Sequence, residues 1–419
     1  MKTNRKIKKP KRTSLKMFTF VIVLMAGLTF AFFLYAIRLV LFSETAAGES
    51  VPAFQTAAPQ ITAQAKTAEE NIPSKEAEES TDEPPTETPT PSPSPTPQPS
   101  PTPIPDSTLV FAGDILLDGS VRRTIEADGI ETVFPEESRA PFIAADIAMA
   151  NVETSISLRG SPMPDKEYTY RSDPEHALLL KDMGLDIVSV ANNHTIDYGR
   201  DAFADTLDFF KAQKIAYVGG GMDKEEAKRW QTFELNGKKY AYLAASRVIP
   251  VVDWYAGKNL SGLFGAYDPT ELNEQIALAK ESHDYVIVYL HWGVERNPVP
   301  EDWQRNQARG HILSGADMVI GSHPHILQGF EFFNGKLIAY SLGNFIFSDA
   351  AKDTGALEVT VSPEGEFTYR FLPYEIINRR TVPINDADKR ESLRASLNGI
   401  SFGAEVNKQF EITAQFSYP

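Results

Sequence analysis

Tyr285-Val-Ile-Val-Tyr-Leu-His291-Trp-Gly293 decides the fold. Six apolar residues, rich in β-branched and aromatic types, form a short strand-type run, and the run closes on an imidazole and a glycine. Similar runs occur at 108–112, 186–190 and 317–320, and amphipathic helical stretches alternate with them. In 201–213, for example, Phe203, Leu207 and Phe210 fall four and three residues apart, which places them on one helical face directed at a sheet. Alternation of this kind predicts an α/β domain of sheets flanked by helices. After Gly355 the pattern turns strand-rich, with 357–361 and 367–372 on either side of the turn Ser362-Pro-Glu-Gly365. The last 35 or so residues are polar and carry no clear period.

Composition narrows the function. The chain has 419 residues with 41 basic and 56 acidic side chains, a net charge of −15, and no cysteine. Disulfides, thiolate zinc sites and cysteine nucleophiles are therefore excluded. Nucleic acid is an unsuitable partner for so acidic a chain, because phosphate binding needs clustered Lys and Arg.

The charge is unevenly spread. Residues 1–16 carry eight Lys or Arg and no acid, and residues 17–37 carry no charge at all. About 20 apolar residues span a bilayer core, so 17–42 reads as an uncleaved signal anchor with 1–16 as its cytoplasmic basic tail. The globular part is then expected outside the cell membrane. Residues 43–107 hold 14 Pro, 11 acids and two Lys, and Pro occupies every second position from Pro89 to Pro105. That composition predicts a disordered, acidic, Pro-rich spacer rather than a packed domain. A globular domain over 108–375 and a C-terminal extension over 376–419 complete the division, and residues 108–419 keep a net charge of −15.

Chemistry collects at the ends of the strand runs. Asp114 follows the first; Asn151 and Glu153, two apart, follow the second; Asn193 and His194 end the third; His291 ends the fourth; His323-Pro-His325 ends the fifth. In an open α/β sheet such ends converge on one rim. Four of only seven histidines lie in these segments, whereas His176, His283 and His311 fall in or beside polar helical stretches and read as surface or structural residues. Carboxylate, amide and imidazole donors without thiolate suit a divalent manganese, iron or zinc ion. Asp118, four residues after Asp114, is a further candidate ligand, although a solvated turn residue is the better reading of it. Gly399-Ile-Ser401-Phe-Gly403 copies a nucleophile elbow, but no histidine follows it and it reads as chance.

Taken in order, Gly113-Asp114, Asn151-Val-Glu153, Asn192-Asn-His-Thr-Ile-Asp-Tyr-Gly199, His291-Trp-Gly293, Gly321-Ser-His-Pro-His325 and Ser341-Leu-Gly-Asn-Phe345 resemble the capsule-synthesis CapA family. That family is similar to a branch of the calcineurin-like metallophosphoesterases and is associated with poly-γ-glutamate capsule production. The resemblance implies a calcineurin-like sandwich of β-sheets flanked by helices, and one or two divalent metals held by Asp114, Glu153, Asn193, His291, His323 and His325. It further implies a catalytic His194 oriented by Asp197. Asn344 is a substrate-binding candidate, and so is Arg171 from its setting in Tyr-Arg-Ser-Asp-Pro, where a surface salt bridge is the more ordinary account. The usual Asp-x-His opening is absent, since Ile115 and Leu116 follow Asp114, so one metal position lacks an imidazole. Two functions follow as expectations. One is a metal-dependent hydrolase or phosphoesterase acting on an anionic envelope polymer such as poly-γ-glutamate, or on its precursor. The other is a non-catalytic, polymer-binding accessory subunit working with membrane-embedded synthase subunits.

Overall fold

The computed structural model describes residues 103–348 and 352–415. The expected basic tail, signal anchor and most of the Pro-rich spacer lie outside the described residues.

Two sheets carry the architecture. One has eight strands: Arg380–Pro383, Phe367–Ile377, Asp353–Val361, Ser107–Ile115, Ile147–Val152, Ile187–Ser189 and Ala216–Val218 in spatial order, with Asn344–Ile346 also pairing with Ser107–Ile115. The other has six: Leu327–Phe333, Lys336–Leu342, Met318–Ser322, Tyr285–His291, Lys238–Ser246 and Gln231–Leu235. The first is antiparallel on one side of Ser107–Ile115 and parallel on the other, and the second is parallel in the centre and antiparallel at both edges.

Side-chain alternation explains why the sheets stack. Leu109, Phe111, Ile147 and Met149 of the first sheet share one core with Tyr242, Ile287, Tyr289 and Ile320 of the second. The alternate residues of the same strands face outward onto helices. Val110, Ala148 and Val188 meet Phe142, Leu180, Phe203 and Leu207, while Val286, Val288 and Val319 meet Leu272, Ile276 and Ile312. The result is four layers, helix–sheet–sheet–helix, with central strands buried on both faces as parallel sheets require. Each fully buried aromatic or branched side chain contributes about 1.5–3 kcal/mol. Tyr289 also donates its hydroxyl hydrogen to Ala112 O at 2.7 Å, so a polar bond joins the two sheets just below the rim.

The expected helix over 201–213 is observed as Arg200–Gln213, and the expected hairpin as Asp353–Val361 with Phe367–Ile377. The polar C-terminal region, without a period in the sequence, completes the first sheet with Arg380–Pro383 and adds the helix Ala387–Gly399, whose Leu393 and Leu397 enter the inter-sheet core. Gly113 marks a close approach: a Cβ there would stand 1.8 Å from Gly343 O, and the next residue, Asp114, donates its N–H to that same carbonyl at 2.9 Å.

Candidate metal centre

All six candidate ligands sit on one rim. Asp114 is the penultimate residue of Ser107–Ile115, and its register partner on the neighbouring parallel strand is Asn151, two residues before Glu153. Ile187–Ser189 runs parallel beside that strand and leads to Asn193. Across the sandwich, His291 pairs in register with Ser322, which places His323 one step beyond it. Parallel register thus does for chemistry what sequence separation hides: ends of parallel strands are neighbours.

Asp114, Glu153 and His291 are fully buried, and Asn193 and His323 nearly so. His291 Nε2 lies 2.7 Å from Asn193 Oδ1, 3.1 Å from His323 Nδ1 and 3.6 Å from Glu153 Oε1. On the other side of Glu153, His325 Nδ1 lies 3.9 Å from Oε2 and 3.7 Å from Asp114 Oδ2. Glu153 stands between two three-residue sets, Glu153–His291–His323 and Asp114–Glu153–His325, each able to hold a metal ion. The first set has the Asn193 amide oxygen beside it as a further donor, and the second has no imidazole from the first strand end. Leu116, at the position where that imidazole would stand, packs with Phe347 and Ile376 in a small apolar cluster.

The electrostatics fit a cation. Both carboxylate oxygens of Glu153 are buried and have no hydrogen-bond partner. Burial, then the neighbouring Asp114, pushes the Glu153 carboxyl well above the ordinary carboxylate range. Asp114 is raised by burial too, against the opposing pull of His325 and of the Asn151 amide, which donates to it at 2.8 Å. Burial, reinforced by His323 and His325, holds the His291 imidazole well below its usual value, and burial brings His323 down to about 3. Buried carboxylates that lack a cation and imidazoles that keep their lone pairs form a donor set a divalent ion satisfies.

His194 stands at the mouth. Its Nδ1 is 2.6 Å from Asp197 Oδ2 and its Nε2 is 4.0 Å from Glu153 Oε1. Burial lowers its pKa, opposed by the Asp197 hydrogen bond. Asp197 also accepts the Tyr170 N–H at 2.8 Å, and the Tyr170 ring lies 4.3 Å from that of His194. Asn192 braces the turn by accepting the His194 and Thr195 amides, each at 3.0 Å, while donating to Asn151 Oδ1 at 3.0 Å. His323 and His325 both adopt positive φ, 95° and 59°, a conformation a side chain occupies only under constraint from its surroundings.

Of the three remaining candidates, one borders the centre and two do not. Asn344 is adjacent to the centre, its Oδ1 2.7 Å from His325 Nδ1. Arg171 is turned away: its guanidinium lies over the Tyr198 ring at 4.4 Å and reaches Arg159 O at 3.3 Å. Asp118 belongs to no ligand set among the described residues. It is the N-cap of Gly119–Asp128, accepting from Gly119 N at 2.7 Å, and it also accepts from Arg171 N at 2.9 Å, so its oxygens are occupied.

Lys166 is the main residue the sequence did not announce. Its ammonium group donates to Asp197 Oδ1 and Asn193 O and lies 3.1 Å from His194 Nδ1. It comes from an irregular segment, where no period or spacing indicates direction. The centre opens into a cleft of about 740 Å³ lined by Lys166, Tyr170, His194, Arg296, His325 and Asn344 among others.

Fold and rim together define a class: a four-layer α/β sandwich with a carboxylate, amide and imidazole centre able to hold divalent metal. Residues 108–349 match the family model described as "Bacterial capsule synthesis protein PGA_cap", and the chain belongs to that capsule-synthesis family. It is 32% identical over 289 residues to the PGA biosynthesis protein CapA of Bacillus subtilis, covering 68% of this chain and 74% of that one. It is 29% identical over 314 residues to the capsule biosynthesis protein CapA of Bacillus anthracis, covering 72% and 75%. Among solved structures, a calcineurin-like phosphoesterase from Bacillus subtilis aligns with a TM-score of 0.39 at 15% identity, over 71% of this chain and 99% of that one.

Proposed function

We propose that this protein is a metal-dependent hydrolase of phosphoesterase type. It is anchored by residues 17–42 with its globular domain outside the membrane, and it acts on an anionic envelope polymer such as poly-γ-glutamate, or on a precursor of it. The observation that carries the reading is Glu153: a fully buried carboxylate with both oxygens unpartnered, between two sets of donors. Membership of the capsule-synthesis family supports the polymer role.

Glu153, His291 and His323, with the Asn193 amide oxygen, would hold one ion, and Asp114, Glu153 and His325 a second. A divalent ion bound there supplies Lewis-acid polarisation of a substrate oxyanion and acidifies water. The chain's own residues do the rest. His194 gives its Nδ1 hydrogen to Asp197, which fixes the ring and leaves Nε2 facing the centre as a neutral proton acceptor. Lys166 balances the charge of Asp197, so the dyad does not hold His194 as a permanent imidazolium. Tyr170 covers the ring and limits water.

The absent imidazole at position 116 favours the second reading, a polymer-binding accessory subunit, and one experiment separates the two. The full chain is purified, its metal measured, and aryl phosphate mono- and diesters and poly-γ-glutamate are assayed with manganese, alongside His194→Ala. Turnover that is lost in the variant supports the hydrolase. Metal-dependent polymer binding without turnover by the unaltered chain overturns it in favour of the accessory role.

A further inference from the structure

One acidic side chain at the mouth has no part in the reading above. Glu295 lies four residues after His291, exposed, with no hydrogen bond or ion pair among the described residues. A donor atom of Glu295 and one each from His323 and His325 all lie within 4.8 Å of one another.

The loop that carries Glu295 is pinned to these two histidines by backbone. Arg296, at φ 59°, donates its N–H to Pro324 O at 2.9 Å, the carbonyl between the two rings. Gly293, at φ 97°, packs so closely that a Cβ there would meet Pro324 Cγ at 3.0 Å. Glu295 is therefore held against the His323-Pro324-His325 turn by contacts that do not involve its own side chain.

The second nitrogen of His323 is where Glu295 could act. Its Nδ1 points inward at His291 Nε2, 3.1 Å away. A neutral imidazole has one lone pair, so a His323 that presents Nδ1 to a cation must carry its hydrogen on Nε2. Among the described residues nothing accepts that hydrogen. Metal-binding histidines ordinarily give the second N–H to a carboxylate, carbonyl or water, which fixes the tautomer and strengthens the ligand.

We propose that Glu295 is a positioning residue of the centre, an outer carboxylate that receives the Nε2 hydrogen of His323 and locks this ring as an Nδ1 ligand. The inference rests on the metal-centre reading. In this arrangement the exposed Glu295 side chain, held near the ring by its backbone, turns to meet that hydrogen.

The test uses the full chain, zinc alone as probe, and the variants Glu295→Ala and Glu295→Gln. Calorimetric titration gives affinity and stoichiometry, and nitrogen-15 histidine spectra of the zinc-loaded protein give the tautomer of His323. The expected result is zinc binding 10–100-fold weaker in both variants at unchanged stoichiometry. The metal-free melting temperature stays unchanged, and His323 in the parent is protonated on Nε2. Unchanged affinity in Glu295→Ala overturns the proposal and leaves the metal centre standing. Loss of one whole ion per chain also overturns it, because Glu295 would then be a ligand itself. A parent protein that binds no zinc removes the centre and the proposal together.

Discussion

Among the described residues, two pairs of buried carboxylates are provided for differently. Glu331, nearly buried, receives Arg309 Nε at 2.7 Å, Arg305 Nε at 3.1 Å and the Tyr340 hydroxyl at 2.8 Å. Asp317 is bonded by Lys280 and Lys336, each at 2.7 Å, and by Val286 N at 2.9 Å. At the rim, Glu153 has no such bond, and Asp114 has the Asn151 amide and the His323 N–H. Fixed ammonium and guanidinium groups complete the first pair permanently. The second pair has no such fixed cation, and the donors around it could hold a metal ion.

The same substitution in the two places should therefore behave in opposite ways. Glu153→Gln should weaken manganese or zinc binding by more than 100-fold, about 3 kcal/mol, while the metal-free protein keeps or slightly gains stability. Calorimetry and urea titration of both forms check this, and a variant that unfolds more readily without metal breaks the distinction.

The comparison extends to imidazoles through acidity. His311 is buried in the helix Asp302–Leu313, Nδ1 2.6 Å from Asn273 Oδ1, and burial lowers its pKa from 6.5 to about 4. Its depressed value means the folded state binds fewer protons than the unfolded state between these limits. Stability is then fully present above pH 6.5 and declines as pH falls towards 4, by about 3 kcal/mol in all. His311→Gln should flatten that part of a stability–pH curve, and zinc should leave the His311 contribution untouched. An unchanged slope refutes the assignment.

Glu331→Gln removes the charge that three donors share, and the partly exposed arginines limit the loss to about 2 kcal/mol in urea unfolding, with metal content unaltered. Asp118→Ala is the mildest case. Loss of the cap should cost about 1 kcal/mol and leave bound metal as it was, whereas a fall in metal content would make Asp118 a ligand after all.

The sequence revealed the centre further than it revealed its surroundings. Asp114, Glu153, Asn193, His291, His323 and His325 were legible because each follows an apolar strand run, and parallel pairing alone brings such ends together. Lys166, Tyr170 and Glu295 were not, since they lie on irregular segments whose direction is set by distant partners such as Asp197, the His194 ring and Pro324. Asp118, four residues from Asp114 and better read as a turn residue than as a ligand, caps its own helix. The strand Arg380–Pro383 was hidden for a different reason. An edge strand with half-exposed faces has no need of the alternation that identifies a strand.

The contact between Gly113 and Gly343 ties the centre to two stretches of chain that are far apart in sequence. Asp114 is held in place by a carbonyl 229 residues further along the chain, so a partly folded molecule has the donors without their spacing. An ion bound there would need both of these distant stretches of chain to be in place at once.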